Sequence, residues 1–385
     1  MKTVYIINSL EGGGAERVFA ELISLVAQDP NKQEPPQVIL LDKLNEVYTL
    51  PEQAIVHRVG NRGGLIGSTV QFVALLRLLM SLKPKLIVSF LTRANIMNVV
   101  ASKILRCHSI VSERSNTSAR LNSRHAHFKR GLVGFVYRKA DFVIAVSRGV
   151  ADCLIAEFGV SRNKLGVLNN PVDLERVNNQ ASLVSQDSEA QQAKIGVVAM
   201  GRLVRSKGFD DLIRAYKISG LSCGLSILGE GPERENLSTL VDDLALTNQV
   251  DFLGFVANPY QIVKQAHLFV LSSHLEGFPN ALLEAMALRR AVIATNCTDG
   301  PREILSLNGQ IPQGEFRLAE FGLMVNVGDQ DALSKAMQHL FQNTELLEEL
   351  AGKAQERVKQ YSKQHFYQSY QELLDRFNGD SLEYV

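Results

Sequence analysis

The chain has 385 residues, 45% of them apolar and 21% charged, which is enough apolar material for two or three domains. Four scattered cysteines, Cys107, Cys153, Cys223 and Cys297, lack the spacing of a disulfide framework or a zinc site and suit small buried thiols in a reducing compartment. The most apolar long run, from Gly64, is interrupted by Gln71 and Arg77, short of the ~18 unbroken apolar residues of a membrane span.

The N-terminus opens on a strand-like run rather than the basic-then-apolar pattern of a signal peptide, so a cytoplasmic protein is expected. Net charge is +1, but its halves differ. Up to Ala193 there are 23 Lys+Arg and 16 Asp+Glu, against 18 and 24 beyond it. From Arg114 to Lys139 there are seven Lys/Arg and no acid. A basic half suits an anionic partner, whether nucleic acid, phospholipid or a pyrophosphate-linked substrate; a solvated basic helix face is the plainer alternative.

In chain order, apolar runs alternate with helical patterns. Strands are predicted at TVYIIN, QVILL, KLIVSF, HSIVS, DFVIAVS and KLGVL, with helices at Ala15–Ala27, Val70–Leu82 and Ala94–Leu105. Asn169 to Ala193, rich in Asn, Gln and Ser, reads as a linker. The alternation resumes with KIGVVAMG, a helix near Phe209–Ile218, GLSILG, a helix near Glu233–Leu244, VDFLG, HLFVLS, a helix from Asn280 and AVIAT, and it closes on helices from Asp331 to Phe377. The fold class expected is α/β: two doubly wound, Rossmann-like domains facing a central cleft. Their boundaries are 1–168, a linker at 169–193, and 194–362, with a closing helix near 363–377 that packs back on the first domain.

Three clusters could carry chemistry. LEGGGAERV, from Leu10 to Val18, follows the first strand and opens a helix. Glycines there allow positive φ and close backbone approach, and helix N-terminal amides attract anions. Arg17 stands where a dinucleotide fingerprint needs its third glycine, so a ligand cradle and a structural turn both stay open. In GRLVRSKGFD, Arg202 and Lys207 follow a strand and Gly208 precedes a helix. A guanidinium fork and an ammonium so placed could clamp a diphosphate, or be two exposed loop cations. In EGFPNALLEAMA, Glu276 and Glu284 have seven residues between them, and Pro279 with Asn280 as N-cap signals the helix start. Glu284 then shares a helix face with Asn280, and the two carboxylates could accept hydrogen bonds from paired sugar hydroxyls.

EGFPNALLEAMA resembles the E-x7-E motif of the retaining glycosyltransferases of family 4. GRLVRSKGFDDLI, ILGEGPERENL, VDFLGFV and NNPVD accompany it in the order that family shows. The resemblance implies the two-domain GT-B fold, with the nucleotide sugar held mainly by the second domain and the acceptor by the first. It implies that Arg202 and Lys207 bind the donor diphosphate and that Glu284 holds the ribose. Glu276 would contact the donor sugar, beside the backbone of Gly277, Phe278, Pro279 and Asn280. Gly254, Phe255 and Val256 would lie near the base, while Gly13 and Gly14 approach from the facing domain. Many members carry a histidine near the transferred sugar where this chain has Arg114, in IVSERSNTS, which makes Arg114 a candidate sugar contact. His108, His125 and His127 are nearby in sequence, but nothing selects them as its replacement.

The expected activity is retaining transfer of a hexosyl unit from a nucleotide sugar, UDP-linked by preference, in bacterial surface polysaccharide or glycoconjugate synthesis. No metal and no cofactor are expected, the nucleotide sugar being a substrate. A polyprenyl-pyrophosphate-linked glycan or a lipopolysaccharide precursor would suit as acceptor. The basic stretch and the apolar helix from Val70 suggest peripheral contact with an anionic membrane, at the cytoplasmic face of the inner membrane. A sugar-nucleotide epimerase of the same fold is the alternative within the enzyme class. A nucleic-acid binder is disfavoured: there is no Trp and no aromatic interleaving for base stacking.

Overall fold

The structure is a computed structural model, described for residues 2–32, 34–60, 64–115, 126–183, 195–297 and 300–377. The chain forms two compact units, one of Met1–Asn170 with Gln364–Val385 and one of Pro171–Lys363.

The first unit runs β1 (Thr3–Ile7), α1 (Gly14–Gln28), β2 (Gln37–Leu40), β3 (Ile55–Arg58), α2 (Gly64–Leu82), β4 (Leu86–Phe90), α3 (Thr92–Leu105), β5 (His108–Glu113), α4 (Ala126–Lys139), β6 (Phe142–Ala145), α5 (Arg148–Phe158) and β7 (Leu165–Val167). Its seven strands are ordered β3-β2-β1-β4-β5-β6-β7, and neighbouring strands are parallel throughout. Helices cover both faces, which is why β4 (LIVSF) is buried at every position instead of alternating. On one face α1 presents Val18, Phe19, Leu22, Ile23 and Val26, a helical stripe, to Tyr5, Ile7, Val38 and Phe90. On the other, Leu75 and Leu79 of α2 and Ala94, Met97 and Ala101 of α3 pack on Val4, Ile6, Ile39 and Ile87. The chain moves outward through β2 and β3 and then crosses back to β4, so strand direction of travel reverses between β1 and β4. Crevices at the carboxyl ends of strands open at such reversals.

The second unit repeats the plan: α6 (Leu174–Ser182), β8 (Ile195–Met200), α7 (Phe209–Ser219), β9 (Gly224–Leu228), α8 (Arg234–Asp243), β10 (Val250–Gly254), α9 (Tyr260–Gln265), β11 (Leu268–Leu271), α10 (Asn280–Ala287), β12 (Ala291–Thr295), α11 (Gly300–Leu305), β13 (Phe316–Ala319), β14 (Gly322–Val325), α12 (Gln330–Gln342) and α13 (Thr344–Val358). The order is β10-β9-β8-β11-β12-β14-β13, with the reversal between β8 and β11. β13 pairs antiparallel with β14 at the sheet edge.

One assignment at the boundaries differs from the sequence reading. Part of the expected linker is structured: α6 has Asp173 as a working N-cap, accepting from Arg176 N at 3.0 Å. Asn258 Nδ2 donates to Gln180 O at 2.8 Å, tying α6 to the second unit; residues 184–194 lie outside the described set. The last helix, α14 (Lys363–Asp375), places Phe366, Tyr370, Leu373 and Leu374 in the first unit's core. Tyr370 OH donates to Tyr5 OH at 3.2 Å, and Tyr367 OH to Asp29 Oδ2 at 2.8 Å.

Candidate functional site

The candidate site of the second unit is built on loops at the carboxyl ends of β8, β9, β10 and β11. After β8 the chain makes a short 3-10 turn, Arg205–Lys207, that ends on Gly208 in the left-handed region at φ +60°. A Cβ at Gly208 would fall far inside contact distance of Ser272 O, so only glycine permits this approach. Ser272 Oγ donates to Lys207 O at 2.9 Å, and His274 N to Ser206 O at 2.8 Å. These bonds lock the β8 loop to the β11 loop. The consequence is an ion pair: Lys207 Nζ lies 2.5 Å from Glu276 Oε1. Ser273 Oγ donates to the same oxygen at 2.7 Å, and the Glu276 side chain is only 11% exposed. A mostly buried carboxylate is thus held by one cation and one hydroxyl, as the cost of desolvating it requires. Arg202 is exposed on the same loop.

Behind the β11 loop, Phe278 and Pro279 are buried, and Phe278 packs edge-on against Tyr361 at 5.3 Å between centroids. Asn280 is the first helical residue of α10; the cap position is Pro279 and carries no side-chain cap, which corrects the N-cap expected at Asn280. Gly277 O is closely approached by Gly300, where a Cβ would collide with it. Glu284 is 4% exposed and accepts from Tyr260 OH at 2.9 Å. Glu276 thus meets a cation and a hydroxyl, and Glu284 meets a tyrosine hydroxyl.

The β9 and β10 loops close the floor by backbone contact. Gly229 (φ +136°) lies against Gly201 O and Gly231 against Leu203 O, too close for any side chain. Gly254 (φ +68°) accepts from Gly229 N at 2.8 Å. Phe255 follows it, 77% exposed, with Val256 half-buried. An aromatic ring so placed offers a flat apolar face at the end of β10. The glycines of ILGEGPERENL fit a Gly-rich turn at the carboxyl end of a strand, but their contacts with the loop of GRLVRSKG are set by the fold alone.

Cys297 is buried beside this cluster. Burial pushes its thiol up to about 12, and the Glu276 charge adds to the rise. Asp210, Asp211 and His274 bring possible metal-ligand atoms within 4.8 Å of one another. His274 Nε2 is 2.6 Å from Asp211 Oδ2, and Asp211 Oδ1 accepts from Gln330 at 2.8 Å. Both aspartates lie in the first turn of α7, where acids are favoured by the helix dipole.

Gly13, Gly14 and Arg114 belong to the first unit. Among the three loop glycines, Gly12 holds the special conformation at φ +114°, while Gly13 is extended at φ −82° and Gly14 begins α1. Arg114 is 7% exposed. Its Nη1 donates to Leu168 O at 3.1 Å, its Nη2 to Asn170 Oδ1, and the guanidinium lies over the Phe90 ring. Burial lowers its pKa to about 9, against the opposing pull of Glu113, and it stays charged at neutral pH. These contacts make it a brace between the end of β5 and the chain leaving β7, at the position where the family resemblance makes it a candidate sugar contact. His125 and the Arg120 and Arg124 of the basic stretch lie outside the described residues, as does the side chain of His127.

Residues 12–176 match the family described as Glycosyltransferase Family 4, and residues 183–357 the family described as Glycosyl transferases group 1. The chain is a GT-B glycosyltransferase. A Campylobacter jejuni protein named N-acetylgalactosamine-N,N'-diacetylbacillosaminyl-diphospho-undecaprenol 4-alpha-N-acetylgalactosaminyltransferase is 29% identical over 366 residues, 93% of this chain and 94% of that one. The Rhizobium meliloti lipopolysaccharide core biosynthesis glycosyltransferase LpsE is 30% identical over 62% of this chain and 65% of its own. The fold of this glycosyltransferase is that of Anabaena HepE, crystallised with UDP, at a TM-score of 0.79 and 20% identity over 98% of this chain and all (100%) of that one.

Proposed function

We propose that this glycosyltransferase moves a hexosyl unit from a UDP-linked sugar to a polyprenyl-diphosphate-linked or lipopolysaccharide-type glycan, with retention at the anomeric carbon and without a resident metal. The observation that carries the reading is the Lys207–Glu276 pair on adjoining strand-end loops. In this reading Arg202 and Lys207 hold the donor diphosphate, and their charge stabilises it as it leaves. Glu276, already oriented by Ser273, accepts hydrogen bonds from the sugar hydroxyls, beside the backbone of Gly277, Phe278, Pro279 and Asn280. Glu284 takes the ribose hydroxyls, with Tyr260 fixing its carboxylate. The base lies by Gly254 and Val256 against the exposed Phe255 ring. The acceptor hydroxyl attacks from the side of the leaving phosphate, which takes its proton. Retaining hydrolases instead need two carboxylates ~5 Å apart astride the bond. The lipid-linked acceptor is supported by the name of the Campylobacter relative, which spans nearly the whole chain.

The test is thermal unfolding with a panel of UDP-, GDP- and TDP-sugars. A donor at about 100 times its Kd adds about 2.7 kcal/mol, and UDP-sugars are expected to protect best. No protection by any of them would remove the donor reading. A product of inverted anomeric configuration would remove retention, loss of turnover in chelator would remove metal independence, and conversion of free donor to an epimer would favour the epimerase alternative.

A further inference from the structure

We propose that the outer face of α2, α3 and α4 seats this protein on an anionic phospholipid surface, which deepens the lipid-linked acceptor reading by naming the part of the chain that meets the membrane. Four observations converge. The first is charge. From Gln53 to Ala140 the sequence carries 15 Lys/Arg and a single acidic residue, Glu113. Glu113 is fully buried and accepts from Tyr137 OH at 2.7 Å and Ser115 Oγ at 3.1 Å, so it offsets nothing at the surface. The second is placement. α3 packs between α2 and α4 on one face of the first unit's sheet, and none of the three helices contains an acid. On the opposite face α1 and α14 carry Glu16, Glu21, Glu372 and Asp375 against only Arg17 and Lys363, so the basic excess is one-sided.

The third is exposed apolar surface. Seven of the sixteen exposed large apolar side chains among the described residues lie on these three helices. Val73 and Met80 on α2, Val100 and Ile104 on α3, and Leu132 and Phe135 on α4 recur at helical spacing, with Ile104 and Phe135 more than half exposed at 55% and 56%. Such concentration on a soluble surface marks an interaction site. The fourth is interleaving. Arg77 stands between Val73 and Met80, Lys103 precedes Ile104, and Lys139 Nζ lies 5.9 Å from the Phe135 ring centre. Lys103 is paired with Asp141 at 3.0 Å, whereas Arg77, Arg106 and Lys139 are exposed. Apolar side chains reaching the acyl boundary with cations at headgroup level is the chemistry of an interfacial surface. A protein partner would call for a core depleted of such charge, and a nucleic acid for more stacking rings than one phenylalanine. No helix among the described residues is long and apolar enough to cross a membrane.

The full-length protein is sedimented with phosphatidylglycerol-containing vesicles and with pure phosphatidylcholine vesicles, at low and high salt, with an RNA oligomer as competitor. Binding is expected to the anionic vesicles and to weaken with salt. Ile104→Ser with Phe135→Ser should lower it about tenfold or more, and Arg77→Gln about fivefold. Ile218→Ser, which removes a half-exposed side chain of the second unit, should leave it unchanged. No binding at low salt, binding indifferent to both sets of substitutions, or displacement from vesicles by RNA would each overturn the proposal. Protection by UDP against thermal unfolding is read on the same preparations. Vesicle binding by a protein that UDP fails to protect would support the surface while removing the donor reading.

Discussion

At the scale of single residues, Lys207 and Glu276 hold each other 2.5 Å apart across 69 positions of sequence. Lys207→Ala is expected to lower turnover by about 10²–10³-fold, the usual loss when one preorganised charge donor is removed from a reacting group. Glu276→Gln keeps the shape and the Ser273 contact but loses the charge, so it should fold and lose activity too. Steady-state kinetics beside circular dichroism checks both; near-normal rates in either would separate the pair from the chemistry. Cys297 gives a prediction with a pH sign. Its thiol is raised from an ordinary value of 9.0 to about 12, by burial first and by Glu276 second. The folded protein therefore keeps the proton, and the stability this contributes is full below the ordinary thiol range and lost as pH climbs toward the raised value. Iodoacetamide at mildly alkaline pH should label half-buried Cys153 well before Cys297, measured by peptide mass. Equal labelling would mean that the pocket around Cys297 opens to water. Lys207 and Glu276 were both candidates from sequence. Their pairing was not legible, because it depends on Gly208 and Ser272 bringing two loops together.

At the scale of elements, the glycines of the β8, β9 and β10 loops decide how closely those loops approach. Gly229 combines a φ of +136° with contact against Gly201 O. Gly229→Ala should therefore destabilise the protein by more than the ~1 kcal/mol expected from left-handed backbone alone. Gly220, at φ +62° with open space around it, is the control whose substitution by Ala should cost about that 1 kcal/mol. Urea unfolding of both variants compares them, and equal losses would show that the contact is not tight. Most buried strands were legible as apolar runs because both faces of each sheet are covered; the four-residue β14, buried at every position, was not among them. β3 and β13 were not legible, because Ile55–Arg58 and Phe316–Ala319 lie at sheet edges, where all but Ala319 are exposed or half-buried, and carry no such run. α6 was hidden inside a polar stretch, where only Val177 and Ala181 are buried.

At the scale of the whole molecule, the chain returns to its first unit at the end. Tyr370 of α14 is 1% exposed and bonds Tyr5 of β1 across 365 positions. Tyr370→Ala should destabilise the first unit by about 3–5 kcal/mol, as for other large-to-small changes at buried aromatic sites. Hydrogen exchange should show the loss in β1 and β4 while β8 and β11 keep their protection; uniform loss across both sheets would mean that the two units unfold as one.

The sequence by itself determined the two α/β cores, the loops that carry Lys207, Glu276 and Glu284, and the charge asymmetry between the halves. These are local properties: apolar periodicity encodes burial, and composition encodes charge. Tertiary structure alone decided that Arg114 is a brace buried against Phe90 and Asn170, and that Gly12 rather than Gly13 or Gly14 needs its glycine. It also decided that the basic and exposed apolar residues of α2, α3 and α4 share one side of a sheet. A side chain's partner depends on which strands the crossovers make neighbours, and no spacing along a chain records that.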